Sequence, residues 1–154
     1  MNLPAAPPTP SPSTDPPASD PDIDAYRLFK KGQLKFLSGK HEEAEDLVEQ
    51  AVIAEPNESE YLALLAWIQA HILGPPSDLE DEGTTDHYDK QIRMLDDACA
   101  LDETYAKALF YRAELLKQSG FHERAIADYQ RVTELDPHNE EAAREVMIHH
   151  SRQQ

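Results

Sequence analysis

The chain has 154 residues, 40% of them hydrophobic and 29% charged, with 14 basic against 30 acidic side chains and a formal charge of −16. That length suits one domain, and the acid excess argues against a nucleic-acid or anionic-membrane partner, which would be repelled unless a locally basic face outweighed the global field. The single cysteine, Cys99, excludes an internal disulfide framework and a Cys-rich zinc site. The start, MNLPAAPPTPSPSTDPP, has neither the basic nor the apolar region of a secretory leader, and no later apolar run reaches membrane-spanning length. A cytoplasmic protein without membrane insertion is expected.

Eight of the 12 prolines fall within residues 1–21, together with Asp15, Asp20 and no basic residue. Such a segment has little apolar surface to bury and few backbone donors, so residues 1–22 read as a disordered, polyproline-like tail. From Ile23 the composition changes to Leu, Ala, Glu and Lys with apolar residues at helical spacing, which predicts an all-helical region over 23–152. Within it the block Ala25 to Pro56 superimposes without a gap on the block Ala106 to Pro137. Both run through a Leu-Phe pair, a small residue (Gly32 or Ala113), a turn glycine (Gly39 or Gly120), a second small residue (Ala44 or Ala125) and a closing proline.

The physical sense of that pattern is a helical hairpin. Gly39 and Gly120 end a first helix in the left-handed conformation, which penalises any residue with a Cβ. Gly32, Ala44, Ala113 and Ala125 allow two helices to approach closely, and Pro56 and Pro137 stop the second helix. Between the two blocks, SEYLALLAWIQAHI from Ser59 and DKQIRMLDDACALDE, over about Asp86 to Glu103, read as another pair of helices. They are separated by an acidic insertion at about 73–86 that contains Gly74, Pro75 and Pro76, and this reads either as a tolerated surface loop or as a functional flap. After Pro137, Asn139 is placed to cap a final helix whose first turn carries glutamates, as the helix dipole favours.

The recurring set Leu28, Gly32, Gly39, Ala44, Ala51 and Pro56, then Leu109, Ala113, Gly120, Ala125, Val132 and Pro137, resembles the tetratricopeptide repeat. The resemblance implies an all-α solenoid of three helical hairpins plus a capping helix: repeats at 25–58, 59–105 and 106–139, and the cap at 140–151. The middle copy departs from the family pattern at Gln91 and Glu103, where alanine and proline are usual. It also implies that the first helix of each hairpin lines a concave face, because stacked repeats present an extended binding surface. On that reading Tyr26, Phe29, Gln33 and Phe36 come from the first repeat, Ala63, Leu64, Trp67 and Ala70 from the second, and Lys107, Phe110, Tyr111, Glu114 and Lys117 from the third. Phe29, Phe36, Trp67, Phe110 and Tyr111 would then form an aromatic trough, the kind of anchor that dominates protein interfaces. Phe29 and Phe110 fit groove exposure and inter-hairpin packing equally well, whereas Trp67 lies away from Leu62, Leu65 and Ala66 and is expected in the groove.

No phosphate loop, His-Glu-x-x-His, nucleophile elbow or paired cysteines occur, so no catalytic residue, metal or cofactor is expected. His149 and His150 are adjacent and lack the i,i+4 partner of a helical metal site. Cys99 reads as an inert, partly buried thiol. Residues 25–40 carry Arg27, Lys30, Lys31, Lys35 and Lys40 and no acid, so either an acidic-aromatic peptide or the acidic insertion could pair with them. The two-carboxylate clamp by which some repeats of this family grip acidic chaperone tails would need Lys, Asn, Asn, Lys and Arg at Phe29, Gln33, Leu64, Lys107 and Tyr111; only Lys107 is retained. The resemblance therefore implies a non-catalytic adaptor that binds a protein or peptide partner in its groove, similar to repeat modules of bacterial multidomain proteins. A type III secretion chaperone holding an exported client is one alternative, and a metal-binding or enzyme subunit another.

Overall fold

A computed structural model describes residues 3–5, 21–77 and 83–154. The proline-rich tail expected over 1–22 lies largely outside the described residues. Among those described, seven α-helices and no strand occur: α1 Pro21–Leu37, α2 His41–Ala54, α3 Ser59–Leu73, α4 Asp89–Leu101, α5 Ala106–Gln118, α6 His122–Leu135 and α7 Glu140–Arg152. α1 thus begins two residues before Ile23, at Pro21, where a fixed φ suits the first turn of a helix.

Three antiparallel hairpins, α1–α2, α3–α4 and α5–α6, stack in order, and α7 packs on α6. The hairpin turns close as the glycines require. Gly39 and Gly120 sit at φ +79° and +87°. Their N–H groups donate to Phe36 and Lys117, while those of Lys40 and Phe121 donate back to the carbonyls of Lys35 and Leu116, at 2.9 Å in both cases. This doubled pattern satisfies helix-end carbonyls that would otherwise have no partner. At the far end, the Asn139 side chain accepts from the Ala142 N–H at 3.0 Å and caps α7.

Small residues set the spacing between helices. A Cβ on Gly32 would meet Val48 Cγ2 at 2.5 Å, so α1 and α2 touch at a distance only glycine allows. Ala44, Ala113 and Ala125 are likewise buried at 0–1% exposure. Two apolar clusters result. One joins α1, α2 and α3 around Phe29, Val48 and Ile68, and the other joins α3 to α7 around Leu95, Leu115, Leu116 and Tyr129.

One polar group is built into the second cluster. Arg112 on α5 binds Asp128 on α6 through two N–H···O bonds, Nε at 2.7 Å and Nη2 at 2.8 Å, and reaches Asp96 on α4 with Nη1 at 3.0 Å. The forked geometry holds the guanidinium charged, pushing its pKa up chiefly through the Asp128 bond.

Candidate functional site

α1, α3 and α5 contact one another in sequence, α1 with α3 and α3 with α5, and so form the inner row of the stack. Side chains on their shared face come from positions separated by three and four residues, as one helical stripe requires. At the centre of that row the Trp67 and Tyr111 rings stack, with centroids 4.4 Å apart and planes 9° from parallel. His71, one turn beyond Trp67, meets it edge-on at 4.6 Å and meets Phe36 edge-on at 5.1 Å. The inner row thus holds a continuous run of ring contacts, Phe36–His71–Trp67–Tyr111, that crosses all three hairpins. His71 was not singled out in the sequence, although its i+4 relation to Trp67 on the inner stripe is the signal that locates it.

Two expected groove residues are core instead. Phe29 is 1% exposed and packs its ring against Tyr61 at 4.7 Å, and Leu64 is 6% exposed in the same cluster. The reason is geometric: these side chains point into the seam between the first and second hairpins, where an apolar ring gains more from burial than from lining a wet surface. Ala63 and Ala70 are also buried and serve helix approach. Phe110 is half-buried against Tyr129, edge-on at 6.1 Å, and lies 6.5 Å from Tyr111. Of the five rings expected in a trough, Phe29 is buried, while Phe36, Trp67, Phe110 and Tyr111 remain partly exposed, and His71 joins the run.

The polar candidates divide by end. Towards α1, Tyr26 is exposed beneath Lys30 Nζ at 5.5 Å, and Gln33 Oε1 accepts from the same ammonium at 3.4 Å. Lys107 is exposed at the start of α5. Towards α7, Lys117 donates to Glu145 at 2.6 Å. Burial pulls its ammonium down, but the Glu145 bond and the charge of Glu114 outweigh that and leave it above its ordinary value. Glu114 Oε1 accepts from the Tyr129 hydroxyl at 2.5 Å. Burial, only partly offset by that bond, raises the Glu114 carboxyl above the usual carboxylate range. The Tyr111 phenol is pushed up to about 12, first by burial and then by the charge of Glu60.

The insertion, where described, is pinned rather than free. Thr85 N–H donates to Ser119 O at 3.0 Å, which lays the incoming strand of chain across the α5–α6 turn. Gly120 is doubly constrained there, because a Cβ would run into the Gly83 carbonyl. At the other edge the Tyr88 hydroxyl donates to Gly74 O at 2.7 Å and His87 Nε2 lies 2.9 Å from the same oxygen, so the two ends of the insertion are tied together. The ends border an open cavity of about 360 Å³ between α3 and α5, beside Trp67 and lined also by His71, Glu114 and Gln118. Tyr88 and His87 were not legible as site residues, since they follow an insertion to which the repeat pattern assigns no positions.

Cys99 is buried, and its thiol is pushed up to about 11, mainly by that burial, which makes it a poor nucleophile near neutrality. Among the described residues no group of three or more His, Cys, Asp or Glu could hold a metal ion, and no helix is long and apolar enough to cross a membrane.

Residues 106–139 match the family model for the tetratricopeptide repeat. No curated protein matches the sequence. Among solved structures, the first tetratricopeptide domain of Spaghetti (RPAP3), bound to the HSP90 peptide SRMEEVD, is 26% identical with a TM-score of 0.68, over 82% of this chain and 90% of that one. The Arabidopsis OM64 tetratricopeptide domain aligns over 86% of this chain and 99% of its own at 14% identity, with a TM-score of 0.71. The Yersinia enterocolitica type III secretion translocator chaperone SycD is similar in fold at 18% identity and a TM-score of 0.64, over 81% of this chain and 88% of that chain. The matched repeat, these neighbours and the stack of three helical hairpins closed by α7 establish that this chain contains a tetratricopeptide-repeat domain.

Proposed function

We propose that the chain is a non-catalytic adaptor whose inner face binds a segment of a partner protein. The observation that carries this is the half-buried Trp67–Tyr111 stack on the inner row, which packs at the edge of the second apolar cluster and leaves Trp67 lining an open cavity. Large rings held in place by neighbouring helices make good anchors, because the ordering cost falls mainly on the ligand. The HSP90 peptide held by the Spaghetti domain supports the general mode of recognition. It does not supply the ligand here: of the five clamp positions, Phe29 and Leu64 are buried, Gln33 is neutral and Tyr111 is stacked on Trp67, leaving Lys107 as the one exposed cation.

A photo-crosslinking residue placed at Trp67, compared with one at the exposed Ile53 on α2, tests this reading in the native cell. A partner trapped from position 67 and not from position 53 supports it. Equal trapping from both, or trapping from position 53 alone, contradicts it.

A further inference from the structure

Several hydrogen-bonding groups border the cavity beside Trp67. Gly74 O is already taken by Tyr88 and His87, and the Tyr88 hydroxyl donates its one proton to that carbonyl, with Gln118 Oε1 also within reach at 3.3 Å. His71 Nδ1 faces the Trp67 carbonyl at 2.9 Å; a carbonyl can only accept, so that nitrogen carries the proton and Nε2 is left as an acceptor. Glu114 presents a carboxylate that receives one bond, from Tyr129. Glu114 therefore keeps acceptor capacity towards the cavity, beside the Gln118 side-chain amide, which offers both an acceptor and donors. An occupant that engages Glu114 must bring a donor, because an ionised carboxylate only accepts.

Charge points the same way. No Lys or Arg lines the cavity. The nearest ammonium on α5, Lys117, is engaged by Glu145 at 2.6 Å, and among the described residues no cation lies within ion-pair distance of Glu114. At Glu114 the negative charges of Glu141 and Glu145 from α7 oppose the positive charge of Lys117. Neither Lys30 on α1 nor Lys107 at the start of α5 lines the cavity. An aromatic wall, Trp67 and Tyr88, next to a half-buried carboxylate that has no direct ion pair among the described residues and feels Lys117 only through space, is the environment that holds an alkylammonium or guanidinium group, through a charge-assisted bond and contact with ring faces.

Resting on the groove reading above, we propose that this insertion-walled cavity is a specificity pocket for a basic side chain, arginine or lysine, of the partner segment. The head group bonds Glu114 and Gln118, and the aliphatic stem lies along Trp67. The pocket depends on the insertion in the middle repeat, because Gly74, Pro75 and Tyr88 supply its outer wall. It selects the opposite charge from an acidic-tail clamp. An incoming cation also relieves the burial penalty on the Glu114 carboxylate.

Trp67 is the one tryptophan in the chain, so its emission reports on the pocket directly. Heptapeptide mixtures, randomised at every position but the centre and fixed there as Arg, Gln, Leu or Glu, serve as probes against the whole chain. The Arg mixture is expected to shift the emission at concentrations about tenfold lower than the Leu or Glu mixtures. That preference should shrink with added salt and disappear in Glu114→Gln, which keeps an amide oxygen for the Tyr129 hydroxyl. A circular dichroism spectrum unchanged from wild type verifies the fold, and the salt dependence of the wild type gives an independent reading of the same charge. Equal binding of the Gln or Leu mixtures, or a full Arg preference in Glu114→Gln, overturns the basic-pocket inference. Binding of Leu or Glu mixtures without an Arg preference leaves the groove reading standing while this inference falls. Silence from every mixture counts against both.

Discussion

At the scale of single residues, Trp67 and Phe29 show what a sequence stripe can and cannot assign. Both lie at inner positions of a first helix, yet one stacks on Tyr111 at 4.4 Å beside a cavity and the other is sealed against Tyr61. Helical spacing identifies a face; the rotation of that face towards its neighbours depends on packing from another repeat, which no local pattern encodes. Trp67→Ala should lower thermal stability by about 1 kcal/mol, the worth of one aromatic pair, and should weaken partner binding at least tenfold. Phe29→Ala should instead destabilise by about 3–4 kcal/mol as a core cavity opens. Thermal melts beside binding titrations separate the two. Arg112 is the residue that sequence reading missed altogether, because its partners Asp96 and Asp128 lie on two other helices. Arg112→Ala leaves the nearly buried Asp128 without its cation and should cost about 3 kcal/mol, measurable by urea unfolding. An unchanged midpoint would show that the network contributes no stability.

At the scale of elements, the first and third hairpins were legible because each signal is local: a turn glycine, a pair of small residues and a closing proline. Asn139 capping α7 was legible for the same reason. The insertion was not, since its role depends on where Thr85, His87 and Tyr88 land on a distant turn and on the end of α3. The two turn glycines give a direct comparison. Both have positive φ, but a Cβ on Gly39 meets nothing within 4 Å whereas one on Gly120 strikes the insertion at Gly83. Gly39→Ala should therefore cost about 1 kcal/mol, the left-handed penalty alone. Gly120→Ala should cost more, and should also increase hydrogen exchange at Thr85 as its bond to Ser119 opens. Equal costs with unchanged exchange would mean that the insertion is not held by that turn.

At the scale of the whole molecule, the charge of −16 resolves into a basic α1, acids on the insertion and α7, and an inner row on which Lys117 sits between Glu114 and Glu145. The architecture holds five tyrosines, Tyr61, Tyr88, Tyr105, Tyr111 and Tyr129, with phenol pKa values raised above the ordinary 10.0, burial being the first cause in each. Because the folded values lie above the unfolded one, this stabilisation is fully present below pH 10.0 and is lost as the pH rises from there towards about 12, the value for Tyr111. Each phenol held neutral contributes a slope of about 1.4 kcal/mol per pH unit over that window. Unfolding midpoints should fall steeply above pH 10.0, and a flat profile there would contradict the packing described. The proposed function, unlike the fold, rests on one surface of this stack. The measurement that tests it most directly is a backbone and indole NMR titration with the partner segment trapped from position 67. The account predicts shifts confined to α1, α3 and α5 and largest at the Trp67 indole, with α2, α4 and α6 silent. Shifts centred on the outer helices, with the Trp67 signal unmoved, would contradict it.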